Sequence, residues 1–109
     1  MSKYKSNKVV IDGIKFDSKK EGCRYIQLKA LLDNNKISNL ELQKEYILQP
    51  SFKKNGKTIR KISYFADFVY NENDKVIVED VKGYKTEVYK LKKKIFEYKY
   101  PDLELKEIK

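Results

Sequence analysis

Apolar and polar residues alternate along this chain in two distinct rhythms, and the switches between them mark the expected elements. KVVIDGIKF alternates around Asp12-Gly13, a pair suited to the positive φ angles of a two-residue hairpin turn. Ser18 follows as a helix cap, and a helical rhythm runs from there to about Asp33, where Asn34-Asn35 ends it. ISNLELQ and EYILQ read as two short strands, the second stopped by Pro50. Asn55-Gly56 is a second hairpin signal, followed by a long β run from Thr58 to Tyr70. NEND then turns the chain into a strand over Lys75–Lys82, ended by Gly83. Thr86 to about Lys99 returns to the helical rhythm, Pro101 breaks it, and LELKEI closes as an edge strand. The order is ββ-α-ββ-ββ-α-β. It predicts a single α+β (mixed α/β) domain over residues 1–109, with helices packed on a central sheet.

The helical stripes name candidate core residues. At 100° per residue, Glu21, Tyr25, Leu28 and Leu32 share one face of the first helix, flanked by Arg24 and Leu31. In the second helix Val88, Leu91, Ile95 and Tyr98 form the expected buried stripe. Lys90, Lys93 and Lys94 point away from it and Lys92 sits at its margin. Cys23, Ile26 and Ala30 make a smaller apolar stripe on the first helix, suited to a loop of the same chain or to a dimer face.

Composition narrows the chemistry. The chain has 109 residues, 25 Lys+Arg against 16 Asp+Glu, and a net charge of +9. That sign favours phosphate-rich partners, nucleic acid above all, although solvated lysines alone would give the same count. No run reaches the length of a membrane span and MSKYKSNK lacks a signal peptide's apolar segment, so a cytosolic protein is expected. One cysteine and no histidine exclude an internal disulfide, a cysteine zinc cage and every imidazole-based triad or dyad. Hydrolytic chemistry in such a chain falls to carboxylates, lysine and a hard, oxygen-seeking metal.

Three acids stand where apolar residues belong. In VIVEDVKG, Val76, Val78, Asp80 and Lys82 share a strand face, while Ile77, Glu79 and Val81 share the other. Asp80 and Lys82 are then about 7 Å apart along the strand, and Glu79 falls outside the site. In YFADFVY, Phe65, Asp67 and Val69 share a face, so an acid interrupts an apolar row. The NEND turn makes these strands hairpin partners, which allows Asp67 and Asp80 to approach. Two close carboxylates repel unless a proton or cation lies between them. Glu21 heads the inward stripe of the first helix, but Ser18-Lys19-Lys20-Glu21 is also a capping box, which accounts for it without any site. Asp80 and Lys82 likewise have a plain reading as solvated residues at a strand end. Oxygen donors beside a lysine suit Mg²⁺ or Mn²⁺.

FDSKKE, YFADF and VEDVKG, in this order, resemble the three motifs of the PD-(D/E)XK nuclease superfamily, and within it small phage-encoded members akin to Holliday-junction resolvases. The resemblance implies a restriction-endonuclease-like core and divalent-metal-dependent hydrolysis of DNA leaving 5′-phosphate ends. It implies one site built from Glu21, Asp67, Asp80 and Lys82, with the Val81 carbonyl as a further metal ligand. Ala66 stands where the motif has proline, a change that removes no ligand. Lys85, Lys90 and Lys92, close after the VKG strand end, are the expected phosphate contacts. Junction cutting would imply a homodimer and, for a phage protein, the host cytoplasm. The alternatives are a non-catalytic, basic DNA-binding or recombination accessory protein on the same fold, and a nuclease subunit that acts only with a protein partner.

Overall fold

A computed structural model describes residues 8–81 and 85–109. The chain divides into two compact units, Met1–Ser38 and Asn39–Lys109.

In the first unit, β1 (Val9–Ile11) and β2 (Ile14–Phe16) form the expected antiparallel hairpin. Asp12 and Gly13 take φ of 54° and 76°, as a primed two-residue turn requires. Helix α1 (Lys19–Asp33) starts where predicted, its cap Ser18 accepting the Glu21 amide proton at 3.1 Å. Its buried residues are Gly22, Tyr25 and Leu28. Gly22 allows the hairpin to lie against the helix, since a Cβ there would meet Val9 Cγ2 at 2.8 Å and Ile11 Cδ1 at 3.0 Å. Tyr25 packs on Phe16, with ring centroids 5.1 Å apart, and donates its hydroxyl to Asp12 at 2.9 Å. Cys23, Ile26 and Ala30 are exposed.

The second unit is a mixed four-stranded sheet in the order β3 (Ser38–Gln49), β6 (Ile62–Glu72), β7 (Lys75–Val81) and β8 (Glu104–Ile108), with helix α2 (Glu87–Lys99) packed on it. Strand β3 spans Ser38–Gln49 without a break, where two short strands were expected. Asn39 and Gln43 take positive φ within it, and these kinks are what the polar interruptions in the pattern signal. The predicted long β run divides into β5 (Lys57–Ile59), which pairs with β4 (Phe52–Lys54) around Asn55-Gly56, and β6 (Ile62–Glu72). Strand β6 turns at Asn73-Asp74 into antiparallel β7 (Lys75–Val81), and β8 (Glu104–Ile108) lies parallel to β7 at the sheet edge.

Helix α2 covers its sheet face with a different stripe from the one its pattern suggests. Tyr89 and Phe96 are buried against Tyr46, Leu48, Tyr64, Ala66, Val69 and Val78, while Val88, Leu91 and Tyr98 are exposed. The aromatic rings decide this. Phe96 meets Tyr46 and Tyr64 with centroids 5.1 and 5.3 Å away, contacts that aromatic pairs favour beyond simple burial.

The observed class is therefore α+β with a central mixed sheet. No helix among the described residues is long and apolar enough to cross a membrane.

Candidate functional site

The β6–β7 hairpin brings Asp67 to the end of β7. The register runs to Phe68 and Glu79, and the next residue of β6, Asp67, reaches the Val81 amide with its side chain. Parallel pairing of β7 with β8 places Glu107 beside Asp80 on the other side. Asp80 and Glu107 thus form a row across two neighbouring strands near the end of β7, and Asp67 is bonded to the next residue, Val81.

Asp67 joins three strands. Its Oδ2 accepts the Val81 amide proton at 2.7 Å, and its Oδ1 accepts from Gln43 Nε2 on β3 at 3.0 Å. Gln43 has φ of 51°, a conformation that costs a non-glycine residue of order 1 kcal/mol or more. The expected face of Phe65, Asp67 and Val69 does not form, because Phe65 is exposed and Val69 buried. Tyr64 and Val69, five positions apart, both lie on the α2 side, so the strict alternation of β6 slips between them. The slip occurs around Asp67, which spans its neighbours instead of continuing an apolar row.

Asp80 is 3% exposed and accepts a hydrogen bond from the Tyr64 hydroxyl. Burial first, and that bond second, push the Tyr64 phenol far above its ordinary value. Glu79 points to the other sheet face, as the period requires, and is wholly buried with the Tyr70 hydroxyl donating to it at 2.5 Å. Glu107 is the most heavily engaged of the row. Lys85 reaches it at 2.8 Å, Tyr89 donates to it at 2.7 Å and Lys93 lies 3.5 Å away. The Lys85 bond, then the Tyr89 bond, hold its carboxyl down at about 2.

Glu21 is half-buried in the first turn of α1, in the first unit. Lys82 lies outside the described residues. Lys85 pairs with Glu107 and Lys90 pairs with Glu87 at 3.1 Å, while Lys92 is half-buried on α2. Among the described residues no group of three or more acidic or cysteine side chains is arranged to hold a metal ion.

Tyr64, Gln43 and Glu107 were not expected from the pattern. The slip in β6 hides Tyr64, since strict alternation sends it to the face opposite Val69. Glu107 was detectable, because it follows Leu105 by two and so shares the inward face of the edge strand.

The fold and this row define a small α+β protein with clustered carboxylates beneath a lysine-rich helix. Residues 1–109 match the model of a family described as "Protein of unknown function (DUF1064)", and the chain belongs to that family. No curated protein matches it. A solved structure, "Crystal structure of SSO0001", is similar at 20% identity with a TM-score of 0.38; the match covers 79% of this chain and 44% of that one.

Proposed function

We propose that this protein is a divalent-metal-dependent endodeoxyribonuclease with a restriction-endonuclease-like core, selective for branched DNA and acting in phage DNA recombination or processing. The observation that carries the reading is the position of Asp67. It accepts the amide proton of Val81, the residue after Asp80 in the D-x-K strand end. The kinked Gln43 beside it adds local strain of the kind that gathers at functional sites.

The donor set is all oxygen, which fits Mg²⁺ or Mn²⁺ and not a soft metal. Asp67 and Asp80 would hold the ion with the Val81 carbonyl, and the motif order alone assigns Glu21 as the third carboxylate. When bound, such an ion polarises a phosphoryl oxygen and acidifies a coordinated water. The protein's own residues do the remaining work. The Val81 amide and Gln43 fix the Asp67 carboxylate, and the Tyr64 hydroxyl fixes that of Asp80. Lys82 orients the attacking water and offsets charge on the phosphate. Positioning suits it better than proton abstraction, because adjacent carboxylates raise a lysine pKa. Lys85, Lys90 and Lys92 contact the phosphate backbone, giving affinity without sequence readout.

A second reading is a non-catalytic DNA-binding protein on the same scaffold. It is favoured by the depth of Asp80. One experiment separates the two. The purified protein is incubated with a four-way junction, a flap, duplex and single-stranded DNA, in Mg²⁺, Mn²⁺ or EDTA, beside Asp80→Ala and Lys82→Ala. Metal-dependent cutting lost in both variants is expected. Cutting that survives EDTA or either substitution rejects the mechanism, and binding without cutting selects the second reading.

A further inference from the structure

Helix α2 carries a second apolar stripe that the described residues leave exposed. Val88, Leu91 and Tyr98 are 61%, 59% and 88% exposed, and half-buried Ile95 continues the row between them. Their spacing of three, four and three is that of successive a and d positions over two heptads. The stripe lies roughly 130° around the helix from the buried Tyr89 and Phe96. It is therefore a seam additional to the core, not a frayed margin of it. An uncovered a/d seam is the surface a partner helix recognises.

The flanks select the partner. The e and g positions beside the seam are Glu87, Lys92, Lys94 and Lys99, three cations to one anion. A second copy of this helix would set Lys94 against Lys99 and Glu87 against Lys92 in a parallel pair, or Lys92 against Lys99 and Glu87 against Lys94 in an antiparallel one. Repulsion and attraction then offset, so charge gives a second copy no net gain. Glutamates at the same positions of a different helix would meet these lysines favourably. Phosphate could satisfy the lysines as well, but it would leave Val88, Leu91 and Tyr98 in water.

We infer that this face of α2 docks an acidic amphipathic helix of a partner protein. The inference goes beyond the nuclease reading and does not depend on it.

The test uses the full chain and two labelled three-heptad peptides with leucine at a and d. One carries glutamate at every e and g position, the other lysine, and binding is followed by anisotropy at low salt. The acidic peptide should bind and the basic one should not. Leu91→Gln should weaken binding about tenfold or more, the loss expected for one buried leucine. Tyr98→Ser repeats the test at the most exposed position. Both variants should keep the parent's circular dichroism, thermal midpoint and behaviour towards DNA. Failure of the acidic peptide to bind overturns the inference, as does equal binding of the basic one or indifference to both substitutions. A dimer on sizing chromatography that Leu91→Gln dissociates would assign the face to a second copy. Binding to phosphatidylserine vesicles that Leu91→Gln abolishes would assign it to a membrane. Either result overturns the acidic-helix partner.

Discussion

Asp67 accepts the backbone N–H of Val81 across the β6–β7 hairpin at 2.7 Å. A carboxylate thus does what a strand carbonyl ordinarily does, at the point where the alternation of β6 slips. This separates its structural role from its chemical one. Asparagine retains an acceptor oxygen and removes the charge, whereas alanine removes both. Asp67→Asn should keep the thermal midpoint within a few degrees and abolish metal-dependent cutting. Asp67→Ala should lose cutting and also destabilise the fold by about 1–3 kcal/mol, the cost of an unmet buried amide. Denaturation curves and cleavage assays on the two variants check this. Full activity in Asp67→Asn would remove Asp67 from the site.

The Glu107 carboxyl, held at about 2 by Lys85 and Tyr89 against an ordinary 4.5, makes stability depend on acidity. A carboxyl with a depressed folded-state pKa contributes fully above its unfolded value. The contribution is lost as pH falls through the folded one. Stability should therefore decline between about pH 4.5 and 2. Glu107→Gln should cost about 1–2 kcal/mol at pH 7 and almost nothing near pH 2. Urea melts of both proteins across this range measure the difference. A constant gap between them would show that the ion pairs do not link folding to pH.

Turn chemistry was the most legible part of the fold. Asp12-Gly13 and Asn55-Gly56 adopt the positive φ angles their residue types favour, and Asn73-Asp74 closes the predicted β6–β7 hairpin. The hairpin that brings Asp67 to the residue after Asp80 follows from that last turn. Two features were hidden for physical reasons. The slip in β6 has no compositional marker, so the face expected for Phe65, Asp67 and Val69 does not form. In α2 the Val88–Tyr98 stripe is a genuine apolar row, and the pattern cannot tell which of two rows the sheet will take. Tyr89 and Phe96 win through aromatic contacts that exist only in the folded unit. Candidate ligands were readable residue by residue, whereas what engages them was not: the Tyr64 bond to Asp80 joins residues sixteen apart.

Burial, and then the bonds to Asp80 and Glu107, raise Tyr64 and Tyr89 well above the ordinary phenol value of 10.0. A raised folded-state pKa contributes stability that is complete below the unfolded value and is lost as pH rises past it. The absorbance of ionised phenol from these two residues should be missing just above pH 10 and appear only with alkaline unfolding. In Tyr64→Phe the delayed part should shrink, with a loss of about 1.5–3 kcal/mol for removing a donor to a buried carboxylate. Absorbance at alkaline pH recorded beside circular dichroism tests both statements. Ionisation of all phenols before the fold is lost would contradict them.

Gly22 is the position where α1 accepts the β1–β2 hairpin, and two effects of a larger residue oppose each other there. Alanine improves helix propensity by about 0.8–1.0 kcal/mol. Its Cβ would stand 2.8 Å from Val9 Cγ2 and 3.0 Å from Ile11 Cδ1. The Ile11 methyl ends a flexible chain and can move, but a β-branched valine has few rotamers to turn to. Relief must then come from shifting the hairpin, and overpacking of this kind costs about 1–3 kcal/mol. Gly22→Ala should be destabilising by about 1 kcal/mol net, and Gly22→Val should cost more on both counts, being larger and a poorer helix former. Denaturant midpoints for the pair decide the balance. A stabilised Gly22→Ala would mean that the hairpin yields without cost, and that propensity alone governs this end of α1.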